Sequence, residues 1–101
     1  MVKILLERHC KPGKEGSLEN MLISLRTKAM QQPGYLSGET LVSIDDPLSY
    51  LVISTWTRME TWKAWENNRE RMELAQLIAA LLSDEPRVRI YGPPMEKELN
   101  I

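Results

Sequence analysis

The chain is poor in residues on which several classes of protein depend. It has one cysteine, Cys10, in 101 residues, so it cannot form an internal disulfide and it suits a reducing compartment. It has no phenylalanine, which argues against the aromatic strands of RNA-binding sheets. Its 13 basic and 14 acidic residues are mixed along the chain, without the basic block that nucleic acid or a membrane surface attracts. We therefore expect neither of these partners.

Long apolar runs are also missing. The apolar start, residues 1–8, is too short for a signal peptide or a membrane span, so we expect a cytoplasmic protein. The length fits one domain with a single core, and we predict its bounds as 1–92, with a C-terminal tail at 93–101. Histidine occurs once, and no metal site is predicted.

Hydrophobic periodicity and turn residues predict six segments. They are strands at 2–10, 35–44, 48–56 and 87–91, a helix that begins after Ser17, and a helical region from Thr57 to about Ser83 with a break at Asn67-Asn68. Ser17 is predicted to cap the first helix, and Thr57 with Glu60 is predicted to form a capping box. The order predicts an α+β, ferredoxin-like βαββαβ fold, with four antiparallel strands and both helices on one face.

The predicted strands carry apolar residues on both of their faces. Val52 alternates with Leu51 and Ile53, and Ile4 alternates with Leu5. A sheet face that meets water should be polar, so the face without helices is expected to pack on another sheet. The simplest partner is a twofold-related copy, and we predict a homodimer through this open face.

All three tryptophans lie near one strand-to-helix junction. Trp56 ends a strand, and Trp62 and Trp65 follow at a spacing that puts them on one helical face. Tryptophan offers a large apolar surface and one N–H donor, which suits either a packed core or a pocket for a flat organic ligand. Both interpretations stay open at this point.

Several short segments, taken in order, resemble a known family. They are Lys11-Pro12-Gly13-Lys14, Pro33-Gly34-Tyr35, Asp46-Pro47, Trp56 before a helix, and Trp65-Glu66-Asn67. Over residues 2–92 the chain resembles the antibiotic biosynthesis monooxygenase domain, a dimeric α+β barrel. The resemblance implies an enzyme without metal, flavin or haem, whose best-known relatives oxidise phenolic or quinol rings with molecular oxygen. Such a protein supplies a pocket, desolvation and groups that favour the substrate anion.

The chain departs from two branches of that family. The haem-degrading branch uses a first-strand Asn and a helical His. At these places this chain has Glu7-Arg8 in the strand and Leu74-Ala75-Gln76, without a His, in the helix, so haem chemistry is not expected. The polyketide-oxidising branch has an Asn one turn before its helical Trp, where this chain has Thr61. These departures favour a second interpretation, a non-catalytic dimeric domain that binds a small ligand or serves in an interaction.

Two candidate catalytic residues end the first strand. His9 titrates near neutrality and is a candidate base toward a phenol, with a surface position as the alternative. Arg8 is predicted on the helix-facing side, where a buried guanidinium needs an anion, either a carboxylate of the chain or a substrate phenolate. Candidate substrate-binding residues are Trp65, Trp62, Trp56, Met21 and Tyr35, with a purely structural core as the alternative. The charged run 66–73 is interpreted as a solvated helical face.

Two functions therefore remain. The first is a cofactor-independent monooxygenase or quinol oxidase that acts on a small aromatic substrate with oxygen. The second is the non-catalytic binding domain. A cavity of at least ~300 Å³ between helices and sheet, with a polar group at its base, would favour the first, and a filled core would favour the second.

Overall fold

The computed structural model describes residues 1–94, and it confirms the predicted α+β fold. Its elements are β1 Val2–His9, α1 Glu15–Ala29, β2 Tyr35–Val42, β3 Ser49–Trp56, α2 Met59–Glu66, α3 Arg69–Ala79 and β4 Arg87–Tyr91. The strands form one antiparallel sheet in the order β2-β3-β1-β4. The predicted tail lies outside the described residues from position 95 onward. No helix of residues 1–94 is long and apolar enough to cross a bilayer.

Strand β1 forms the centre of the sheet together with β3, and it separates two environments. Its residues Val2, Ile4, Leu6 and Arg8 are buried, as the alternation of the sequence predicts. The residues between them face away from the helices, where Leu5 pairs with Ile53 of β3. A side chain of β1 therefore enters one of two quite different surroundings according to its position along the strand.

The apolar stripe of α1 is confirmed, but its predicted cap is wrong. Leu18, Leu22 and Ala29 are buried. The helix begins at Glu15, two residues before the predicted cap Ser17, and its N-cap Lys14 makes no side-chain capping hydrogen bond. The first turn closes because the Leu18 amide donates to the Lys14 carbonyl at 2.9 Å.

The predicted capping box at the start of α2 is also wrong. The N-cap is Arg58, and its side chain makes no capping hydrogen bond within residues 1–94. The Thr57 hydroxyl lies 3.4 Å from the Thr61 hydroxyl, and Thr61 in turn donates to the Arg58 carbonyl at 2.7 Å. Glu60 pairs loosely with Arg58, at 3.8 Å, rather than with the threonine. The two threonines therefore satisfy each other and the backbone, and the carboxylate is left for the surface.

The break between the second and third helices lies where the asparagines predict it. Helix α2 ends at Glu66, and Asn68 caps α3 by accepting a hydrogen bond from the Arg71 amide at 3.2 Å. This turn places Arg71 with its guanidinium carbon 5.2 Å from the ring centroid of Trp62 on the preceding helix.

The core between sheet and helices divides into two clusters of buried residues. The aromatic cluster contains Val2, Ile4, Ala29, Trp56, Trp62 and Trp65. The aliphatic cluster contains Cys10, Leu18, Leu22, Tyr50, Ile78 and Leu82. Leu25 packs against both. The aromatic cluster is built around α2, and the aliphatic cluster is built around α1 and α3.

Candidate functional site

A cavity lies between the helices and the sheet beside the aromatic cluster. Its volume is about 60 Å³, room for several water molecules. The gap is therefore not filled, but it is well below the ~300 Å³ that favours a substrate pocket outright. Its walls combine aromatic side chains with guanidinium groups, so it has the polar base that the sequence interpretation required. We call it the aromatic cavity.

Tryptophan and tyrosine rings form one wall of the aromatic cavity. The Trp56 ring meets Tyr35 edge-on at 5.4 Å between centroids and Trp62 at 5.9 Å. The Trp56 indole N–H donates to the Ser54 hydroxyl at 3.0 Å. The indole nitrogen of Trp62 and the hydroxyl of Tyr35 are both buried and have no hydrogen-bond partner in the described part of the chain. These two polar atoms are left for a ligand or for water.

A glycine makes room for the tyrosine hydroxyl. Gly38 on β2 pairs with Ser54 of β3, and both residues line the aromatic cavity. A Cβ atom at position 38 would collide with the Tyr35 hydroxyl oxygen. The absence of a side chain therefore lets this hydroxyl lie against the strand at the edge of the cavity.

Arg8 is the buried cation of this site. The alternation of β1 carries it to the helix side, where only 4% of its surface is exposed. Its Nε atom is buried without a hydrogen-bond partner, and no carboxylate of residues 1–94 forms an ion pair with it. Burial, and secondly the charge of Arg71, lower the pKa of Arg8 to about 10. The guanidinium still carries its charge at neutral pH, and the anion that sequence reasoning required is missing from the described part of the chain.

Arg71 is the second guanidinium of the site, and the sequence interpretation missed it. It is half-buried, lies over the Trp62 ring and donates from Nη1 to the Glu66 carbonyl at 3.4 Å. Burial lowers its pKa, and the charge of Glu66 opposes this shift. The interpretation of run 66–73 as a solvated face is therefore wrong at this residue. The sequence did contain a signal for the burial of Arg71, because positions 71, 75 and 78 have the spacing of residues on one side of a helix.

A second cavity adjoins the first at these arginines. Its volume is about 200 Å³, and Leu6, Arg8 and Arg71 line both cavities. Ile78, Leu82 and Val88 supply its apolar walls, from α3, the residues after it and β4. We call it the inner cavity. The two guanidinium groups therefore stand between an aromatic space and an aliphatic one.

Two of the predicted site residues are not brought to the cavities. His9 lies on the open face, where its Nε2 is 3.0 Å from Glu7 and its Nδ1 is 3.0 Å from Asp84. The hydrogen bond to Asp84 is the main cause that raises its pKa. Met21 packs against the aliphatic cluster. Arg8, Trp56, Trp62, Trp65 and Tyr35 do converge on the aromatic cavity.

Known proteins are similar to this chain in sequence or in structure. Protein SchA of Streptomyces halstedii is 23% identical over 88 residues, which are 87% of this chain but only 22% of that protein. A conserved protein of Methanosarcina mazei superposes with a TM-score of 0.85 over 89% of both chains, at 17% identity. A variant of SnoaB, a cofactor-independent oxygenase of Streptomyces nogalater, superposes with a TM-score of 0.82 over 91% of both chains, at 16% identity. These structures show the fold.

The chain spans about a fifth of the length of the curated relatives that it matches. The sequence model of one family, described as antibiotic biosynthesis monooxygenase, matches residues 1–77, which is well over half of the chain. The protein therefore belongs to the antibiotic biosynthesis monooxygenase family.

Proposed function

We propose that this protein is a cofactor-independent oxygenase or quinol oxidase that acts on a small phenolic or quinol substrate with molecular oxygen. One observation carries the proposal: Arg8 is a buried cation with an unpartnered Nε beside a cavity walled by tryptophan. Membership of the monooxygenase family supports the same reaction class. The fold shared with SnoaB, which is a cofactor-independent oxygenase, agrees with it.

The proposed role of the site is to favour the substrate anion. A phenolate transfers an electron to oxygen far more readily than a phenol does, so a nearby fixed cation that lowers the phenol pKa promotes the reaction. Arg8 supplies that charge. The indole N–H of Trp62 and the hydroxyl of Tyr35 are free to donate to a ring oxygen. The tryptophan rings hold the aromatic ring and exclude water, which strengthens these interactions.

The two proposed reactions differ in where the oxygen atoms and the electrons go. As a monooxygenase, the enzyme converts a ring CH₂ group and O₂ into a ring carbonyl and water, so one oxygen atom enters the product and the other leaves reduced. As a quinol oxidase, it removes two protons and two electrons from a hydroquinone and gives a quinone and hydrogen peroxide. In both, the substrate itself is the reductant, and no further electron donor is required.

The alternative, a dimeric domain that binds a small ligand without turnover, has its own support. The aromatic cavity is small, at about 60 Å³. Thr61 stands where the resemblance implies an Asn in the polyketide-oxidising branch, and its hydroxyl is engaged by the Arg58 carbonyl. This alternative predicts binding of aromatic compounds with no consumption of oxygen.

Oxygen uptake separates the two functions. The purified protein is tested without added cofactor against hydroquinones, hydroxynaphthalenes and anthrones. We expect uptake above the protein-free rate with at least one of these classes, and about a tenfold lower rate in Trp65→Phe, which keeps the aromatic core but changes the shape of the wall. Circular dichroism checks that the variant is folded. No uptake with any class, together with quenching of tryptophan fluorescence by the same compounds, would favour the binding domain.

We also propose that the protein is a homodimer joined through the open sheet face. The residues Leu5, Leu51 and Ile53 remain partly exposed at the centre of this face, and Leu41 on the edge strand is 45% exposed. Charges of both signs surround them, from Glu7 and Arg87, which are paired across β1 and β4. An apolar centre with a mixed charged rim is self-complementary under a twofold axis, which favours a second copy of the chain as the partner.

A further inference from the structure

We infer that the substrate carries a carboxylate in addition to its oxidisable ring, and that this carboxylate binds between Arg8 and Arg71. The inference rests on the proposed function and names the class of substrate: an aromatic acid with a phenol or quinol ring. The carboxylate would occupy the boundary between the aromatic and inner cavities, because both arginines line each of these two spaces.

The charges around the two cavities are unbalanced. Among the described residues, three arginines, Arg8, Arg26 and Arg71, and one carboxylate, Glu39, line the aromatic cavity. The charged residues of positions 1–94 that line the inner cavity are Arg8, Arg71 and Glu66, and the Glu66 carboxylate lies 3.2 Å from Lys63 Nζ. Neither Arg8 nor Arg71 forms an ion pair within residues 1–94. Arg8 is therefore a desolvated cation whose nearest charge is a second cation, the half-buried Arg71, and Glu66 acts on Arg71 without forming an ion pair with it. This arrangement is unfavourable unless a ligand supplies an anion between the two arginines.

The anion that balances the two arginines has to be carried by the substrate when it binds, before the reaction begins. A phenol has a pKa near 10, so it is almost wholly neutral when it binds at neutral pH and does not offset a buried charge. A carboxylic acid has a pKa near 4 and binds as an anion. A carboxylate therefore stabilises the complex from the start, and the phenolate needs to form only later in the reaction.

The geometry of the two side chains favours a planar carboxylate. A guanidinium donates two parallel hydrogen bonds to a carboxylate, and the Nε–H of Arg8 is one unused donor of such a pair. Arg71 lies over the Trp62 ring, and this contact restricts the freedom of its side chain before a ligand arrives. Within residues 1–94, no lysine lines either cavity. The ring of the ligand is then directed to the tryptophan wall, where the two orphan donors of Trp62 and Tyr35 lie.

A matched pair of ligands tests this inference on the full chain. Gentisate, a hydroquinone with a carboxylate, is compared with gentisamide, which has nearly the same shape and no charge. Binding is measured under argon by quenching of tryptophan fluorescence, so that the result does not depend on turnover. We expect gentisate to bind about ten- to a hundredfold more tightly, the range for hydrogen bonds to charged groups.

Three variants locate the preference. In Arg8→Met and in Arg71→Met we expect the ratio of the two affinities to fall to within about threefold of unity, with the larger fall in Arg8→Met, whose guanidinium is the more deeply buried. Arg69→Met is the matched control, because Arg69 lies on the same helix, is 93% exposed and pairs with Glu73. It should keep the full ratio. If Arg8→Met does not fold, Arg71→Met, at a half-buried position, still gives the answer.

The possible failures are distinguishable. Equal affinity of the wild type for gentisate and gentisamide would overturn the inference, and so would a preference that survives in both arginine variants. Oxygen uptake is then measured separately in air with gentisate and with gentisamide. A preference for gentisate without uptake by any quinol would contradict the proposed oxidase while leaving the carboxylate site in place. Uptake with equal binding of both ligands would support the enzyme and overturn the carboxylate.

Discussion

Two neighbouring residues of β1 show that a cationic side chain has different surroundings on the two faces of the sheet. Arg8 faces the helices, is 4% exposed and has no carboxylate partner in residues 1–94. His9 faces the open side and has two carboxylates, Glu7 and Asp84, each at 3.0 Å. Water can stabilise a charge on the open face without help from the protein, yet the two carboxylates lie on that face. The buried charge, which needs a partner most, has none.

The contrast assigns different roles to the two faces. Exposed ion pairs contribute little to stability, because water competes with both partners. A buried cation without a counterion costs free energy, and when such a group lines a cavity it is a candidate for binding an anionic ligand. The helix side of β1 is therefore the side on which chemistry is expected. The open side is expected to serve association of two copies.

The largest expected effect comes from removing the buried charge. Arg8→Met should lower the rate of oxygen uptake about a hundred- to a thousandfold, the range for losing one group that stabilises a developing anion. It should also raise the free energy of unfolding by about 1 kcal/mol, because an uncompensated charge is removed and the apolar stem is kept. Oxygen electrode traces and urea unfolding measure the two effects.

The matched change on the other face is His9→Gln. It should leave the rate of oxygen uptake within about twofold and change the free energy of unfolding by less than about 1 kcal/mol. A large loss of turnover in this variant would support the earlier hypothesis that His9 is the catalytic base. It would then contradict the assignment of chemistry to the helix side of the sheet.

An intermediate effect is expected from a charge placed on the open face. Ile53 pairs with Leu5 at the centre of that face. Ile53→Lys would bring two unpaired ammonium groups into the proposed dimer, and the dissociation constant should rise about a hundredfold. Sedimentation equilibrium measures it, with Ile23→Lys as the control, since Ile23 lies on α1 and is 65% exposed. A wild type that is monomeric at high concentration would rule out the open-face dimer.

The smallest effect concerns the pH dependence of stability. Asp84 and Glu7 raise the pKa of His9, with the hydrogen bond to Asp84 as the main cause. The folded pKa therefore lies above the unfolded value, so this group stabilises the fold below about pH 6.5, and the contribution is lost as the pH rises through the folded pKa. Asp84→Asn should reduce the gain in unfolding free energy between about pH 8 and pH 6 by less than about 1 kcal/mol. Urea unfolding at the two pH values checks it, and an unchanged gain would show that Asp84 does not interact with His9 in solution.

Much of the architecture was predictable because local patterns carry it. The alternation of β1, the apolar stripe of α1 and the break at Asn67-Asn68 all follow from side-chain periodicity and capping chemistry. The caps at Ser17 and Thr57 failed for a local reason of a different kind. Helix α1 begins two residues before Ser17, and at the start of α2 the hydroxyls of Thr57 and Thr61 bond to each other and to the backbone. Sequence alone does not rank such local alternatives.

The candidate site was predictable only in part. The burial of Arg8 follows from the alternation of side chains along β1. The grouping of the three tryptophans follows from their closeness in sequence at the junction of β3 and α2. Both were therefore predicted. Arg71 was hidden, because the run around it is rich in charge and its burial depends on the turn between α2 and α3. Gly38 was also missed, since its role depends on where the Tyr35 hydroxyl lies across the strand.

By itself, the sequence determined the order of the elements, the face of the sheet on which Arg8 lies, and the apolar character of the sheet face without helices. Those properties depend on the period of a strand or a helix, which is fixed by the backbone. Only the tertiary structure decided that Arg8 meets Arg71, and that no carboxylate of residues 1–94 pairs with either. Contacts between distant segments depend on how the helices pack, and that packing is set by the whole core at once.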